Sequence, residues 1–362
     1  MRETVGLESR ATGMLFLVAY VLLAVSGVGP ETKSVEASVY SPSDEFVGAI
    51  PLIDLGTDKY LDRFQGGLYP DGENVPPVGH TQAGMRRAAQ ITTLDVNGRP
   101  DPDGRYVLLS IGMSNASSEF CGAARRRCAP ESFMGQALND PRVETQNLAI
   151  VNGAMPGQVA ENWDDPGDAA YEDVKRRRLT PQGLSELQVQ AVWLKIANRR
   201  PLSSLPALNA DAYRLERSMG AIVRALKSRY PNLHLVFVSS RTYAGYSATR
   251  KNPEPFAYES GFAVKWLIEA QILQESTGYM DSEAGDLALS HTPWIGWGPY
   301  LWVAGENPRS DGLVWLPEDV GNDGVEVSSS GIRKVGRLML EFYTTSPFAR
   351  CWFVGGEVCA IK

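Results

Sequence analysis

Three residues that can take part in acyl transfer follow short apolar runs of the sequence: Ser114, Gly153 and Asn198. A serine hydroxyl can attack an acyl carbon, and N–H groups can stabilise the negative charge that develops on the acyl oxygen. We predict that Ser114 is the nucleophile. The backbone N–H groups of Ser114 and Gly153 and the side-chain amide of Asn198 form the predicted oxyanion hole. A glycine suits the second position because a substrate must approach its backbone closely.

Two carboxylates, Asp323 and Glu326, lie near the C-terminus in the segment 322–328, directly before a predicted helix. This segment is a further place in the sequence that can contribute to a site. A base that accepts a serine proton activates the nucleophile, and a second group can orient that base. A carboxylate is a weaker base than an imidazole, whose reference pKa is about 2 units higher.

The sequence contains only three histidines, His80, His234 and His291, and none of them lies in that segment. His234 falls within a predicted strand, which favours a packed position in the core. His80 and His291 lie in loop-like segments from which they can approach the site. Trp294 and Trp297 belong to an aromatic-rich stretch that we also interpret as a loop. We predict substrate contacts for His80, His291, Trp294 and Trp297, with packing of the tryptophans onto the core as the alternative.

The pattern of apolar residues predicts an α/β fold. Four apolar runs of about 4–8 residues are typical of strands buried on both faces of a parallel sheet. They are residues 106–111, 148–151, 189–196 and 233–238. Apolar residues recur at helical spacing in residues 211–230, 258–275 and 329–343. Strands that alternate with helices indicate a doubly wound parallel sheet, whose ligands bind at the carboxyl ends of the strands. We therefore expect the residues that follow the strands to meet there.

In their order along the chain, these residues resemble the SGNH, or GDSL-like, hydrolase superfamily. That superfamily places a Ser, a Gly, an Asn and a C-terminal Asp-x-x-His in successive blocks. The resemblance spans residues 105–344 and includes the segments 238–243 and 252–255. It implies a flavodoxin-like fold, a three-layer α/β/α sandwich. It also implies a carboxylic-ester hydrolase, since the members are esterases, lipases and polysaccharide deacetylases.

Two blocks depart from the superfamily pattern. Ile196 and Arg199 stand where the superfamily has a Gly before the Asn and an Asp after it. The Asp-x-x-His block ends in Glu326, so a carboxylate occupies the histidine position. The resemblance therefore implies Ser114, Asp323 and Glu326 as the catalytic residues. Three hypotheses follow: Glu326 is an unusual base, another histidine replaces it in space, or the protein is a binding relic of a hydrolase.

The resemblance implies a serine hydrolase that removes acyl groups, above all acetyl groups, from a carbohydrate through a Ser114 acyl-enzyme. The alternative is a catalytically impaired glycan-binding protein of the same fold. The expected partner is a small-molecule or polysaccharide ester, and the sequence carries no indication of an oligomeric state. No nucleotide-binding glycine pattern and no Cys/His metal cluster occurs, so we predict neither a cofactor nor a metal. Lys and Arg total 35 against 42 Asp and Glu, and this net charge of −7 argues against a nucleic-acid partner.

The first 26 residues have the features of a secretory signal peptide. Arg2 and Arg10 precede an apolar run, residues 14–25, and small residues follow it. The run has about 12 residues, whereas a bilayer span needs about 20, so we expect no stable membrane insertion after cleavage. We predict a secreted or periplasmic protein with four parts: a signal peptide (1–26), a loop-rich extension (27–104), a hydrolase domain (105–345) and a tail (346–362).

The four cysteines form two pairs that are close in sequence. They are Cys121 with Cys128 and Cys351 with Cys359, and neither pair has a metal-binding spacing. We prefer two local disulfides, which suit an exported protein, over free buried thiols.

Overall fold

A five-stranded parallel β-sheet forms the centre of the structure, a computed structural model that describes residues 49–122 and 127–359. The strands are β1 (Lys59–Tyr60), β2 (Phe64–Gln65), β3 (Tyr106–Gly112), β4 (Leu148–Asn152), β5 (Val189–Lys195), β6 (Leu235–Val238) and β7 (Trp294–Trp297). The first two form a separate antiparallel hairpin, and the other five follow the order β4-β3-β5-β6-β7. This is the flavodoxin-like strand order. The predicted doubly wound α/β fold is confirmed.

Helices flank the sheet and complete the predicted three-layer sandwich. They are α1 (Leu52–Leu55), α2 (Val78–Ala88), α3 (Ser114–Cys121), α4 (Phe133–Asn139), α5 (Ala169–Val174), α6 (Asp211–Arg229), α7 (Phe256–Thr277), α8 (Ser329–Thr345) and α9 (Arg350–Phe353). Short 3-10 turns lie at Pro70–Gly72, Ala160–Asn162, Thr180–Gln182, Glu186–Gln188 and Pro317–Asp319, and a π turn at Lys175–Leu179. α6 packs against α7, while α3, α4 and α8 pack together. The three helices expected from apolar spacing correspond to α6, α7 and α8.

The strand ends that carry the predicted chemistry lie side by side. Every residue of β3, β5 and β6 is buried, as expected for a sheet covered on both faces. In the register of the sheet, Ser110 of β3 pairs with Asn152 of β4, and Gly112 pairs with Lys195 of β5. The carboxyl ends of these three strands therefore reach the same edge.

The interpretation of the aromatic-rich stretch 291–302 as a loop is wrong for its central residues. Trp294–Trp297 forms β7, and Trp294 pairs with Leu235 while Trp297 pairs with Val238 of β6. Gly and Pro residues around a four-residue strand produced the loop pattern. Pairing with β6 overrides that local preference, and aromatic side chains suit a buried strand.

Residues 49–104 pack against the sheet domain and contain α1, the hairpin and α2. α2 lies against β7 so closely that a Cβ at Gly84 would stand 2.7 Å from the Trp294 ring. The domain boundary at 104 remains a prediction.

The cysteine pairing bears on the predicted export. The structure contains the disulfides Cys121–Cys128 and Cys351–Cys359, which confirms the preferred pairing. No helix in the described part of the chain is long and apolar enough to cross a membrane. The predicted signal peptide, residues 1–26, lies outside the described residues.

The turn from β3 into α3 depends on Lys195. The Lys195 carbonyl oxygen lies only 2.3 Å from where a Cβ of residue 112 would stand, so this position requires glycine. The Lys195 ammonium pairs with the Glu119 carboxylate of α3 at 2.5 Å, and both side chains are buried. Burial raises the pKa of Glu119 and lowers that of Lys195, against the attraction between the two charges. The backbone and the side chain of one β5 residue thus hold the start and the middle of α3.

Lys195→Met is expected to lower the free energy of unfolding by about 3 kcal/mol or more, because it leaves Glu119 buried without its cation. The double variant Lys195→Met/Glu119→Leu should recover most of this loss. Denaturant unfolding of the two variants and the wild type measures both effects. The matched control is Arg350→Met, which removes an exposed ion pair with Glu357 and should cost below about 1 kcal/mol. Equal losses in the Lys195 and Arg350 variants would contradict the prediction.

Candidate active site

Ser114 and Glu326 are 212 residues apart in sequence and in direct contact in the structure. Ser114 is the first residue of α3, and Glu326 lies just before Ser328, the N-cap of α8. The Ser114 hydroxyl donates a hydrogen bond of 2.5 Å to Glu326 Oε1. Both residues are partly exposed. A partly exposed hydroxyl bound to a carboxylate can pass its proton to that carboxylate when it attacks an electrophile.

Asp323 holds the backbone of the segment that carries Glu326. Its Oδ1 accepts hydrogen bonds from the N–H groups of Val325 (3.1 Å) and Glu326 (2.9 Å), and its Oδ2 pairs with Lys251 at 3.2 Å. Burial by itself would raise the pKa of Asp323. The two N–H groups and the Lys251 ammonium outweigh burial and hold the pKa below its ordinary value. Asp323 therefore orients the Glu326 backbone.

The turn 323–326 also depends on a glycine and on a contact with α3. Gly324 has a φ of 68°, and a Cβ there would stand 1.8 Å from the carbonyl oxygen of Tyr246. The buried Asn115 side chain donates from Nδ2 to the Val325 carbonyl at 2.8 Å. This bond ties the residue after Ser114 to the residue before Glu326. The backbone segments that carry Ser114 and Glu326 are thus held against each other.

The other predicted oxyanion donors lie at neighbouring strand ends. Asn198 is fully buried in the wall of the cleft described below, and its Nδ2 donates to Asp211 Oδ1 at 3.2 Å. One N–H of that amide is therefore already used. Gly153 directly follows β4 and packs against β3, where a Cβ would stand 2.6 Å from the Ser110 carbonyl. The oxyanion role of Ser114, Gly153 and Asn198 remains a prediction.

An open cleft with a volume of about 790 Å³ lies over the Ser114–Glu326 pair. Its wall comes from the start of α3 and from the loops that contain Pro156, Asn198, Arg241, Asn252 and Glu326. Asn252 is buried and donates from Nδ2 to the Asn198 carbonyl at 3.1 Å, which joins two of these loops. The cleft lies at the carboxyl edge of the sheet, where a doubly wound fold binds its ligands.

Arg241 is a residue of this site that the sequence reasoning missed. It follows β6 at the same edge of the sheet, lines the cleft and is only 4% exposed. Its backbone N–H donates to Ser260 Oγ at 3.0 Å, which fixes its position against α7. The available indication was its place three residues after the apolar run 233–238, because Ser114, Gly153 and Asn198 also follow such runs.

All four predicted substrate contacts lie outside the wall of the cleft, which corrects that expectation. Trp294 is fully buried and Trp297 is 4% exposed, since both belong to β7. His80 is buried in α2, stacks on Trp294, and donates from Nε2 to the Ile295 carbonyl at 2.9 Å. His291 is exposed and pairs with Asp286. His234 directly precedes β6, and its backbone N–H donates to the Gln190 carbonyl. No histidine lines the cleft among the described residues, so the hypothesis of a replacement in space fails for them.

No protein-family model matches this sequence, and no curated protein matches it. Several solved structures are similar to it at low identity. A protein from Arabidopsis thaliana is 10% identical, covers 67% of this chain and 99% of its own, and has a TM-score of 0.38. A protein from Parabacteroides merdae named as a GDSL-like lipase is 12% identical, with coverages of 69% and 97% and a TM-score of 0.37. An acetyl xylan esterase is 11% identical, with coverages of 65% and 98% and a TM-score of 0.34. Likeness at this level assigns no activity.

His80 makes the stability of the protein depend on pH. Burial lowers the pKa of His80 to about 4, although its bond to the Ile295 carbonyl opposes the shift. In the unfolded chain His80 takes up a proton near pH 6.5, and in the folded chain it stays neutral until about pH 4. The stability that neutral His80 allows is fully present above about pH 6.5 and is lost as the pH falls from about 6.5 to about 4.

We therefore compare unfolding free energies of the wild type and His80→Phe, which keeps a ring beside Trp294, between pH 7 and pH 4. The free energy of unfolding should fall by roughly 3 kcal/mol more in the wild type than in the variant, because the pKa of His80 is 6.5 in its ordinary state and about 4 in the folded chain. Parallel pH profiles would show that His80 does not cause the dependence.

Proposed function

We propose that the protein is a secreted or periplasmic serine hydrolase of the SGNH kind that removes acyl groups, acetyl groups in particular, from a carbohydrate. The two disulfides support an oxidising compartment. The resemblance of the sequence blocks to that superfamily supports the ester-hydrolase class and the carbohydrate.

One observation carries the proposal: the 2.5 Å hydrogen bond from the Ser114 hydroxyl to Glu326 Oε1 beneath an open cleft. A general base must lie within hydrogen-bond reach of the proton that it removes. Glu326 meets that requirement. Its position also matches the block in which the superfamily carries its base.

The reaction would proceed in two balanced steps. In the first, Ser114 Oγ attacks the acyl carbon, Glu326 takes the hydroxyl proton, and the carbonyl π electrons move onto oxygen. The N–H groups at the start of α3 have no intrahelical acceptor and favour that negative charge. Collapse of the intermediate expels the sugar alkoxide, which receives the proton from Glu326. In the second step, Glu326 removes a proton from water and the resulting hydroxide attacks the acyl carbon. Collapse of this intermediate breaks the bond to Ser114 Oγ, which takes the proton back from Glu326, and the carboxylic acid leaves.

A second candidate is a glycan-binding protein with little or no hydrolytic activity. The observation that favours it is the identity of the base, because a carboxylate holds a proton less strongly than an imidazole. The contacts of Asp323 also favour this candidate, because Asp323 does not support the Glu326 side chain. Its two oxygens bind backbone N–H groups and Lys251 instead. Binding residues around the cleft would remain in place in such a protein.

Hydrolysis of p-nitrophenyl acetate separates the two candidates. For the hydrolase, Ser114→Ala should reduce the rate to background, and Glu326→Gln should reduce kcat/KM by roughly 10²-fold or more. Glu326→His should raise kcat near pH 8, because a neutral imidazole is the stronger base. Ser118→Ala, which changes a serine on the same helix outside the cleft wall, is the matched control and should leave the rate unchanged.

The outcomes that favour the binding protein are equally specific. A wild-type rate equal to that of Ser114→Ala would exclude the serine mechanism. If Glu326→His then creates activity that depends on Ser114, the wild type is a relic whose base was lost. Thermal unfolding of each variant shows whether a low rate reflects a damaged fold.

The role of Asp323 can be tested by two substitutions. Asp323→Asn keeps an oxygen that accepts the Val325 and Glu326 N–H groups, so its kcat/KM on p-nitrophenyl acetate should stay within about threefold of the wild type. Asp323→Ala loses those bonds and should destabilise the protein by about 1–2 kcal/mol and lower the rate further. An Asn variant as inactive as Ser114→Ala would show that the Asp323 charge acts in the reaction itself.

A further inference from the structure

The cleft over Ser114 is strongly cationic although the whole chain has a net charge of −7. Five basic residues line it: Arg199, Arg200, Arg241, Arg250 and Lys251, of which Lys251 pairs with Asp323. Glu326 is the one acidic residue among the described residues of the wall. The positive charge is therefore a local property of the cleft. Like charges gathered in a concave surface focus the electric field and attract ions of opposite sign.

Arg241 is the most informative of these residues, because it is 4% exposed and its Nε has no hydrogen-bond partner in the described part of the chain. An arginine stays charged in a protein, so burial does not remove its charge. A buried polar N–H without a hydrogen-bond partner destabilises the folded state. Such a group is well placed to bind an anion that enters the cleft.

The carboxylates around Arg241 are already engaged. Three carboxylates act on the Arg241 charge, and they are Glu326, Glu119 and Glu254. Glu119 pairs with Lys195. Glu254 accepts hydrogen bonds from Ala244, Tyr258 and Trp302. Glu326 accepts the Ser114 hydroxyl.

Among the described residues, the cleft wall offers no aromatic ring for stacking on a neutral sugar. The apolar side chains that line it in the described residues are aliphatic: Met113, Pro156, Val159, Pro201, Leu202 and Val325. Stacking on tryptophan or tyrosine is a general means by which an apolar, rigid face holds a ring. Here recognition must rely on polar and charged contacts. Of these, arginine bonds to oxyanions are the strongest because their fork matches two oxygens at once.

We propose that the substrate is an anionic glycan, an acylated oligosaccharide or polysaccharide whose sugars carry carboxylate or phosphate groups, and that one such group binds Arg241. The exposed Arg199, Arg200 and Arg250 attract the neighbouring charges along the glycan. This proposal deepens the proposed function and rests on it only for the hydrolysis. The binding itself requires the cleft alone.

Calorimetric titration of the full-length Ser114→Ala variant, which cannot form an acyl-enzyme, tests the proposal. The probes are three oligosaccharides of equal length: an acetylated oligogalacturonate, a phosphorylated oligomannoside and a neutral acetylated xylo-oligosaccharide. We expect at least one acidic probe to bind roughly tenfold or more tightly than the neutral one. The acidic probe that binds more tightly identifies the anion as carboxylate or phosphate. Its affinity should fall as NaCl rises to about 0.5 M, because salt screens exposed charges.

Variants in the Ser114→Ala background assign the effect to residues. Arg241→Gln should weaken the preferred acidic probe roughly tenfold, and Arg241→Lys should weaken it less because the charge remains. Arg250→Gln changes an exposed residue, so it tests the cationic rim even if Arg241→Gln does not fold. Arg176→Gln removes an exposed arginine that pairs with Asp173 outside the cleft and should change nothing.

The outcomes distinguish this proposal from the proposed function. Equal affinity for all three probes, or affinities that neither salt nor the Arg241 and Arg250 variants change, would overturn the anionic-glycan proposal while leaving ester hydrolysis intact. Tight binding of an acidic probe by a protein that hydrolyses no ester would uphold it and favour the glycan-binding candidate.

Discussion

The geometry of the site depends on the way Lys195 fixes the start of α3. Its carbonyl oxygen occupies the space that a side chain at Gly112 would need, and its ammonium pairs with Glu119 in the buried interior. A buried ion pair contributes little net stability, but it strongly disfavours arrangements that separate its partners. Ser114 lies between these two contacts in sequence. Its backbone is therefore held at the cleft by contacts that do not involve Glu326.

The buried charges around this turn form a connected group. Lys195 neutralises Glu119, while Arg241 is influenced by Glu119, Glu254 and Glu326 without a partner for its Nε in the described residues. An ion pair anchors the helix, and a guanidinium with an unpartnered Nε lines the cleft. The first arrangement serves the fold. The second would be stabilised by an anion in the cleft, such as the anionic group of the proposed substrate.

The fold could be predicted from the sequence because it follows from periodicity. Four apolar runs became β3, β4, β5 and β6, and the edge that residues after parallel strands share places Ser114 at the cleft. Glu326 follows no strand of the sheet in the described residues, and its contact with Ser114 was predicted from the resemblance of the sequence blocks. β7 was missed because its four residues lie among glycines and prolines, and its pairing with β6 is a tertiary effect. Trp294 and Trp297 were assigned to the substrate for the same reason. The importance of Arg241 depends on its burial, which neighbouring residues do not reveal.

The contacts of Asp323 explain how residue 326, the proposed base, can be a glutamate while the turn keeps its conformation. The turn 323–326 is held by bonds to backbone N–H groups, by the left-handed Gly324 and by the bond from Asn115 to the Val325 carbonyl. None of these contacts involves the side chain of residue 326. The fold therefore tolerates either a histidine or a glutamate there. Because the scaffold is indifferent to this side chain, the chemistry of the site depends on what Glu326 does to the Ser114 proton.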